Sequence, residues 1–142
     1  MALLSLALQE RRFPRCRTSV RASRDFVAGV LTEWGITSLI EDAELCVSEL
    51  ATNAVLHGTP PGREFAVRIH TLQECVRLEV RDSGPGCPVV REAGLEATSG
   101  RGLFLVSALA DVHGVTLHKV GKTVWLEFRK SHAATTCREP GE

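Results

Sequence analysis

Two alternating runs constrain this chain most. In Phe65, Val67 and Ile69, and again in Val76, Leu78 and Val80, apolar residues take every second position. Each run therefore presents one apolar and one polar face as an extended strand. A short connection around Gln73 and Glu74 separates them, which predicts an antiparallel hairpin. A lone hairpin is marginal in water, so its apolar face needs a second layer.

Helical patterns on either side of the glycine-rich turns supply that layer. From about Ser19 to Trp34, the residues Val20, Phe26, Val27, Val30 and Leu31 share one side of a helix, with Gly35 as its stop. A second helix is expected to start at Ser38, where Ser38 as N-cap and Glu41 three residues later suit a capping box, and to run to about His57, with Gly58 as its stop. At about 100° per residue, Ala43, Cys46, Val47, Leu50, Ala51 and Ala54 line up as its apolar stripe. "TPPG" makes the next turn, and a loop is expected after Asp82 to about Ser99. "GLFLVSALADV" predicts a helix from near Gly102, and "GVTLHKV" and "KTVWLEF" predict a second hairpin turning at Gly121. Alternation of Leu4, Leu6 and Leu8 adds an N-terminal strand. Helices clustered among antiparallel hairpins predict an α+β fold, a two-layer α/β sandwich with one mixed sheet and helices on one face.

A chain of 142 residues with 44% apolar content suits one domain with a sizeable core. That domain is expected over residues 1–130, with 131–142, where periodicity is lost, as a frayed tail. Formal net charge is zero, which gives no general attraction to nucleic acid or membrane. The basic cluster from Arg11 to Arg24 reads as a solvated helix face and loop. "MALLSLAL" lacks a basic leader and is too short to span a bilayer, so a cytoplasmic location is expected. Five cysteines, Cys16, Cys46, Cys75, Cys87 and Cys137, contain no CxxC pair and argue against a disulfide framework or a zinc site. Cys46 falls on the core stripe.

Three places stand out against this plain architecture. Glu49 and Asn53 lie one helical turn apart at the edge of the apolar stripe, with His57 extending their row. Such an edge either faces a cleft or is a solvated flank with an i,i+4 hydrogen bond. "RDSGPGCP" puts Asp82 at a strand end before Gly84 and Gly86, where glycine permits close approach of a ligand and Asp can accept from an exocyclic amine; an ordinary Asx turn has the same pattern. "TSGRGLFLV" puts Gly100, Arg101 and Gly102 before a helix start, whose free N–H groups suit a phosphate; a simple capping turn also fits. It is neither a Walker A loop nor a dinucleotide-binding fingerprint.

In this order and spacing, "SELATNAVLHG", "DSGPG" and "SGRGLFLV" resemble the N box and two glycine boxes of the histidine-kinase-like ATPase superfamily, over roughly residues 15 to 129. Within it the chain is similar to the small anti-sigma-factor serine/threonine kinases of actinobacterial type. The resemblance implies the Bergerat-type ATP-binding fold and a site for ATP and Mg²⁺. Asn53 would hold Mg²⁺, Glu49 would act as general base, and Asp82 would take the adenine amino group with Gly84 and Gly86 letting the base approach. Gly100, Arg101 and Gly102 would line the triphosphate, and Thr123 would support the adenine end. The implied partners are an alternative sigma factor and a STAS-domain anti-anti-sigma protein, with no direct nucleic acid and no membrane, and with room for a homodimer. The loop from Cys87 to Ser99 is short beside the ATP lids of the better-known kinases. A non-catalytic, ATP-dependent protein-binding switch is the alternative, and ATP hydrolysis without a protein acceptor a third.

Overall fold

The structure, a computed structural model, describes residues 5–84 and 105–130. The chain opens with strand β1 (Ser5–Pro14) and helix α1 (Thr18–Glu33), followed by helix α2 (Ile40–Asn53). The predicted hairpin is β2 (Glu64–Leu72) and β3 (Cys75–Arg81), and the second is β4 (Val112–Leu117) and β5 (Lys122–Arg129). Residues 105–109 are helical before β4. The five strands form one sheet in the order β1-β2-β3-β5-β4.

Among the described residues the expected mixed sheet is corrected to an antiparallel one, since all four of their pairings run antiparallel. The reason lies at β5, which enters between β3 and β4 and opposes both, so that no two neighbours share a direction. The α+β, two-layer architecture stands.

Strand alternation divides the sheet into two faces. Val67, Ile69, Leu78, Leu126 and Phe128 point to the helices and are at most 2% exposed. Val27, Leu31, Cys46, Val47 and Leu50 meet them from α1 and α2, each also at most 2% exposed. Gly35 follows α1 at φ 75° as the predicted stop. The entry to α2 differs from the expected capping box. A 3-10 turn over Thr37–Leu39 precedes the helix, and Leu39 takes the N-cap position with no side-chain hydrogen bond. The tight turn carries Leu39 into the core instead. Glu41 and Asp42 remain in the first helical turn, where the helix dipole favours them.

The other face of the sheet is a lattice of charges. Glu10 of β1 meets Arg68 Nε at 3.0 Å, and Arg77 Nε donates to Glu79 at 2.7 Å. Arg77 also donates to Glu127 of β5 at 2.8 Å, and its guanidinium lies 4.2 Å from the centre of the Trp125 ring. One arginine thus ties β3 to β5 through a carboxylate and an aromatic face. Among the described residues, no helix is long and apolar enough to cross a membrane.

Candidate functional site

The site is built where α2 ends and β3 leaves the sheet. Glu49 and Asn53 are both on α2, an i,i+4 pair whose Cβ atoms are about 5–6 Å apart by helix geometry. Their surroundings differ: Glu49 is half-buried, whereas Asn53 is 8% exposed. Asn53 is also the last α-helical residue. From Ala54 to Gly58 the chain winds as a π-helix, a conformation found mostly as single turns at functional positions. The wider turn brings Ala54, Val55 and Gly58 inward and leaves Leu56 and His57 exposed. The helical course therefore reaches Gly58 as expected, with its final turn in a different winding. His57, at the end of the polar row, stays in solvent.

The π turn delivers Gly58 onto Asp82. A Cβ at position 58 would collide with the Asp82 carboxylate. From the other side comes Gly121, at φ 83°, where a Cβ would collide with the Asp82 carbonyl oxygen. Two glycines from separate elements thus close on one aspartate that is 4% exposed. Only a residue without a side chain allows both approaches.

Within that grip, Lys122 satisfies the carboxylate. Its ammonium donates to Asp82 Oδ2 at 2.5 Å, and its backbone N–H donates to Oδ1 at 3.0 Å. The Asp82 N–H returns a hydrogen bond to the Lys122 carbonyl at 3.0 Å, and the Gly84 N–H approaches Oδ1 at 3.4 Å. The Lys122 and Asp82 side chains are 5% and 4% exposed. Removing one partner of such a buried pair costs about 3–5 kcal/mol, because the other charge is left alone. Nearby in the chain, the Thr59 hydroxyl is buried with no hydrogen-bond partner among the described residues.

Lys122 is the residue that sequence reasoning missed. The signal was there: Val124, Leu126 and Phe128 set the inward parity of β5, and Lys122 shares it. Thr123, expected at the adenine end, falls on the opposite parity. Its hydroxyl is 2.8 Å from His118 Nε2, and it lines a cavity on the charged face with Arg77, Glu79 and Arg81. A one-residue step along a strand exchanges faces, so the structure brings Lys122, not Thr123, to Asp82.

The expected site residues thus fall into two groups. Glu49, Asn53, Asp82, Gly84 and Thr123 lie in the described structure, and Gly58 links the helix carrying the first two to Asp82. Gly86, Gly100, Arg101 and Gly102 lie outside the described residues. Among the described residues no cluster of three or more His, Cys, Asp or Glu could hold a metal by itself. A single oxygen donor beside a carboxylate still fits Mg²⁺, which keeps most of its waters and shares substrate phosphates. A cavity of about 470 Å³ lies on the charged side of the sheet and includes Asp82 and Ser83 with Arg12, Arg63, Arg68 and Arg81. Neither Glu49 nor Asn53 lines it.

No curated protein matches the chain. A family model does, that of the histidine kinase-like ATPase domain, over residues 13–128. The match runs from the end of β1 into β5 and takes in the α2 pair, the π turn, Asp82 and Lys122. It supports use of ATP. The chain belongs to the histidine kinase-like ATPase domain family.

Proposed function

We propose that this ATP-binding regulatory protein is a serine/threonine kinase of the anti-sigma-factor type, which binds an alternative sigma factor and phosphorylates a STAS-domain anti-anti-sigma partner. The observation that carries the reading is the Glu49–Asn53 pair at the end of α2, continued by a π turn onto Asp82. A carboxylate and a buried carboxamide one turn apart suit a proton acceptor beside a metal ligand.

In this reading the Asn53 side-chain oxygen holds Mg²⁺, which supplies neutralisation of phosphate charge when bound. Asp82 accepts from the adenine amino group beside Gly84, and by the resemblance Gly86 would help to leave space for the base. By the resemblance, Gly100, Arg101 and Gly102 would line the triphosphate. Glu49 takes the proton of the incoming serine or threonine hydroxyl. That oxygen bonds to the γ-phosphorus, the bond from the γ-phosphorus to the bridging oxygen breaks, and ADP leaves with the electron pair.

The test is transfer of labelled γ-phosphate to purified STAS-domain proteins of the same genome. Wild type should label a partner, and Glu49→Gln should do so about 10²–10⁴-fold more slowly with ATP affinity nearly unchanged. ATP-dependent partner binding without any labelling would instead make the protein a non-catalytic switch.

A further inference from the structure

We propose that Lys122 is a latch on the base-binding carboxylate: it competes with the nucleotide base for Asp82, and its displacement is a built-in cost of binding. This rests on the reading of Asp82 as the adenine acceptor. It concerns a residue to which that reading gives no part.

The argument begins with the acceptor capacity of Asp82. Oδ2 receives the Lys122 ammonium, and Oδ1 receives the Lys122 backbone N–H at 3.0 Å. An ionised carboxylate has about four lone-pair sites, but geometry closes the approaches here. Gly58 is pressed against the Oδ2 side, and Gly121 covers the Oδ1 side and the backbone carbonyl. Lys122 takes the remaining inward direction. A base that is to donate to Asp82 must take the position now held by the ammonium.

The ammonium is not the sole tie between β5 and the end of β3. One backbone hydrogen bond runs from the Asp82 N–H to the Lys122 carbonyl, and the Lys122 N–H donates to the Asp82 side chain at Oδ1. The ammonium adds a charge to a junction whose backbone is already paired. Lysine also suits a movable group. Its charge sits on a flexible stem that can swing its head toward solvent.

The latch makes a prediction opposite in sign to ordinary loss of a site residue. Where the binding-competent form is only a fraction of the population, apparent affinity falls by that fraction. Removing the ammonium lifts this penalty.

The experiment is calorimetric titration of the full chain with Mg-ATP, adenosine and inorganic triphosphate. The variants are Lys122→Gln, Lys122→Met and Asp82→Asn. Lys122→Gln is the main variant, because its shorter, neutral amide keeps the junction polar while removing the ammonium's charge and reach to Asp82 Oδ2. Lys122→Met removes every donor and is the stricter case. We expect Lys122→Gln to bind ATP and adenosine about tenfold more tightly than wild type, with no gain for triphosphate. Unchanged or weaker binding of adenosine by folded Lys122→Gln overturns the latch and makes Lys122 a structural or base-holding residue. An equal gain for triphosphate overturns it too, since the effect would then not act at the base. The two readings fail separately. If Asp82→Asn binds ATP as well as wild type does, the Asp82 assignment falls. If Asp82→Asn weakens ATP binding while Lys122→Gln gains nothing, only the latch falls.

Discussion

Gly58 lies so close to Asp82 that a single methyl group at position 58 would meet the carboxylate. The contact joins the last turn of the α2 course to the end of β3, and gives helix and strand a fixed spacing at the site.

Gly58→Ala separates this contact from helix propensity. Alanine is worth about 1 kcal/mol more than glycine in a helix interior, so propensity alone predicts a higher melting temperature. A forced contact in a packed region costs about 1–3 kcal/mol. We expect net destabilisation of up to about 2 kcal/mol and weaker ATP binding. Thermal melting of the purified variant checks this, and a rise in melting temperature would contradict the contact.

Asn53→Ala tests the metal-ligand assignment. Its loss should weaken Mg-ATP binding by about tenfold to a hundredfold, the cost of a missing metal partner, while binding of metal-free ATP changes little. Titrations with and without Mg²⁺ give the comparison. Equal loss in both would make Asn53 a packing residue.

Burial is the largest influence on His70, and it lowers the imidazole below its usual value; Arg68 and Arg77 act in the same direction and Glu79 opposes them. The fold therefore prefers neutral His70, and the unfolded chain binds the proton more readily. This contribution to stability is complete above the unfolded value of about 6.5 and is lost as pH falls toward the lower folded value. Between pH 7 and 5, wild type should lose melting temperature more steeply than His70→Gln. Parallel curves for the two proteins would refute the assignment.

Cys46 and Cys16 should react very differently. Burial first, then Asp42 and Glu49, pushes the Cys46 thiol up to about 12. Cys16 is exposed, and hydrogen bonds from Thr18 and Ser19 lower it. At pH 8 only about one Cys46 in 10⁴ is a thiolate, against about a quarter of an ordinary exposed thiol. Site-resolved alkylation should label Cys16 in the native protein and Cys46 only on unfolding, at least about 100-fold more slowly.

Arg77→Lys tests the lattice on the charged face. Arg77 donates to both Glu79 and Glu127 while lying over Trp125. Lysine offers one compact charge and no planar face, so the variant should lose about 1–2 kcal/mol, after allowance for partial exposure. Denaturant unfolding measures it, and a change within about 0.5 kcal/mol would show the lattice to be ornamental to stability.

Local periodicity determined the elements. The spacing of Phe65, Val67 and Ile69 against Val76, Leu78 and Val80 defined the central hairpin, and the stripe from Ala43 to Ala54 defined the buried face of α2, with every member of that stripe buried. Such patterns are legible because each residue's face follows from its own neighbours in the chain. The pair Glu49 and Asn53 was visible for the same reason, as a polar row beside an apolar stripe. Tertiary structure decided what adjacency in sequence does not encode. The direction of β5 between β3 and β4 made the sheet antiparallel, and the burial of Leu39 replaced a capping box by a 3-10 turn. The partner of Asp82 lies 40 residues away. It became Lys122 rather than a neighbour of either residue because Gly58 and Gly121 close the other approaches, and such closure exists only once helix, strand and turn have come together.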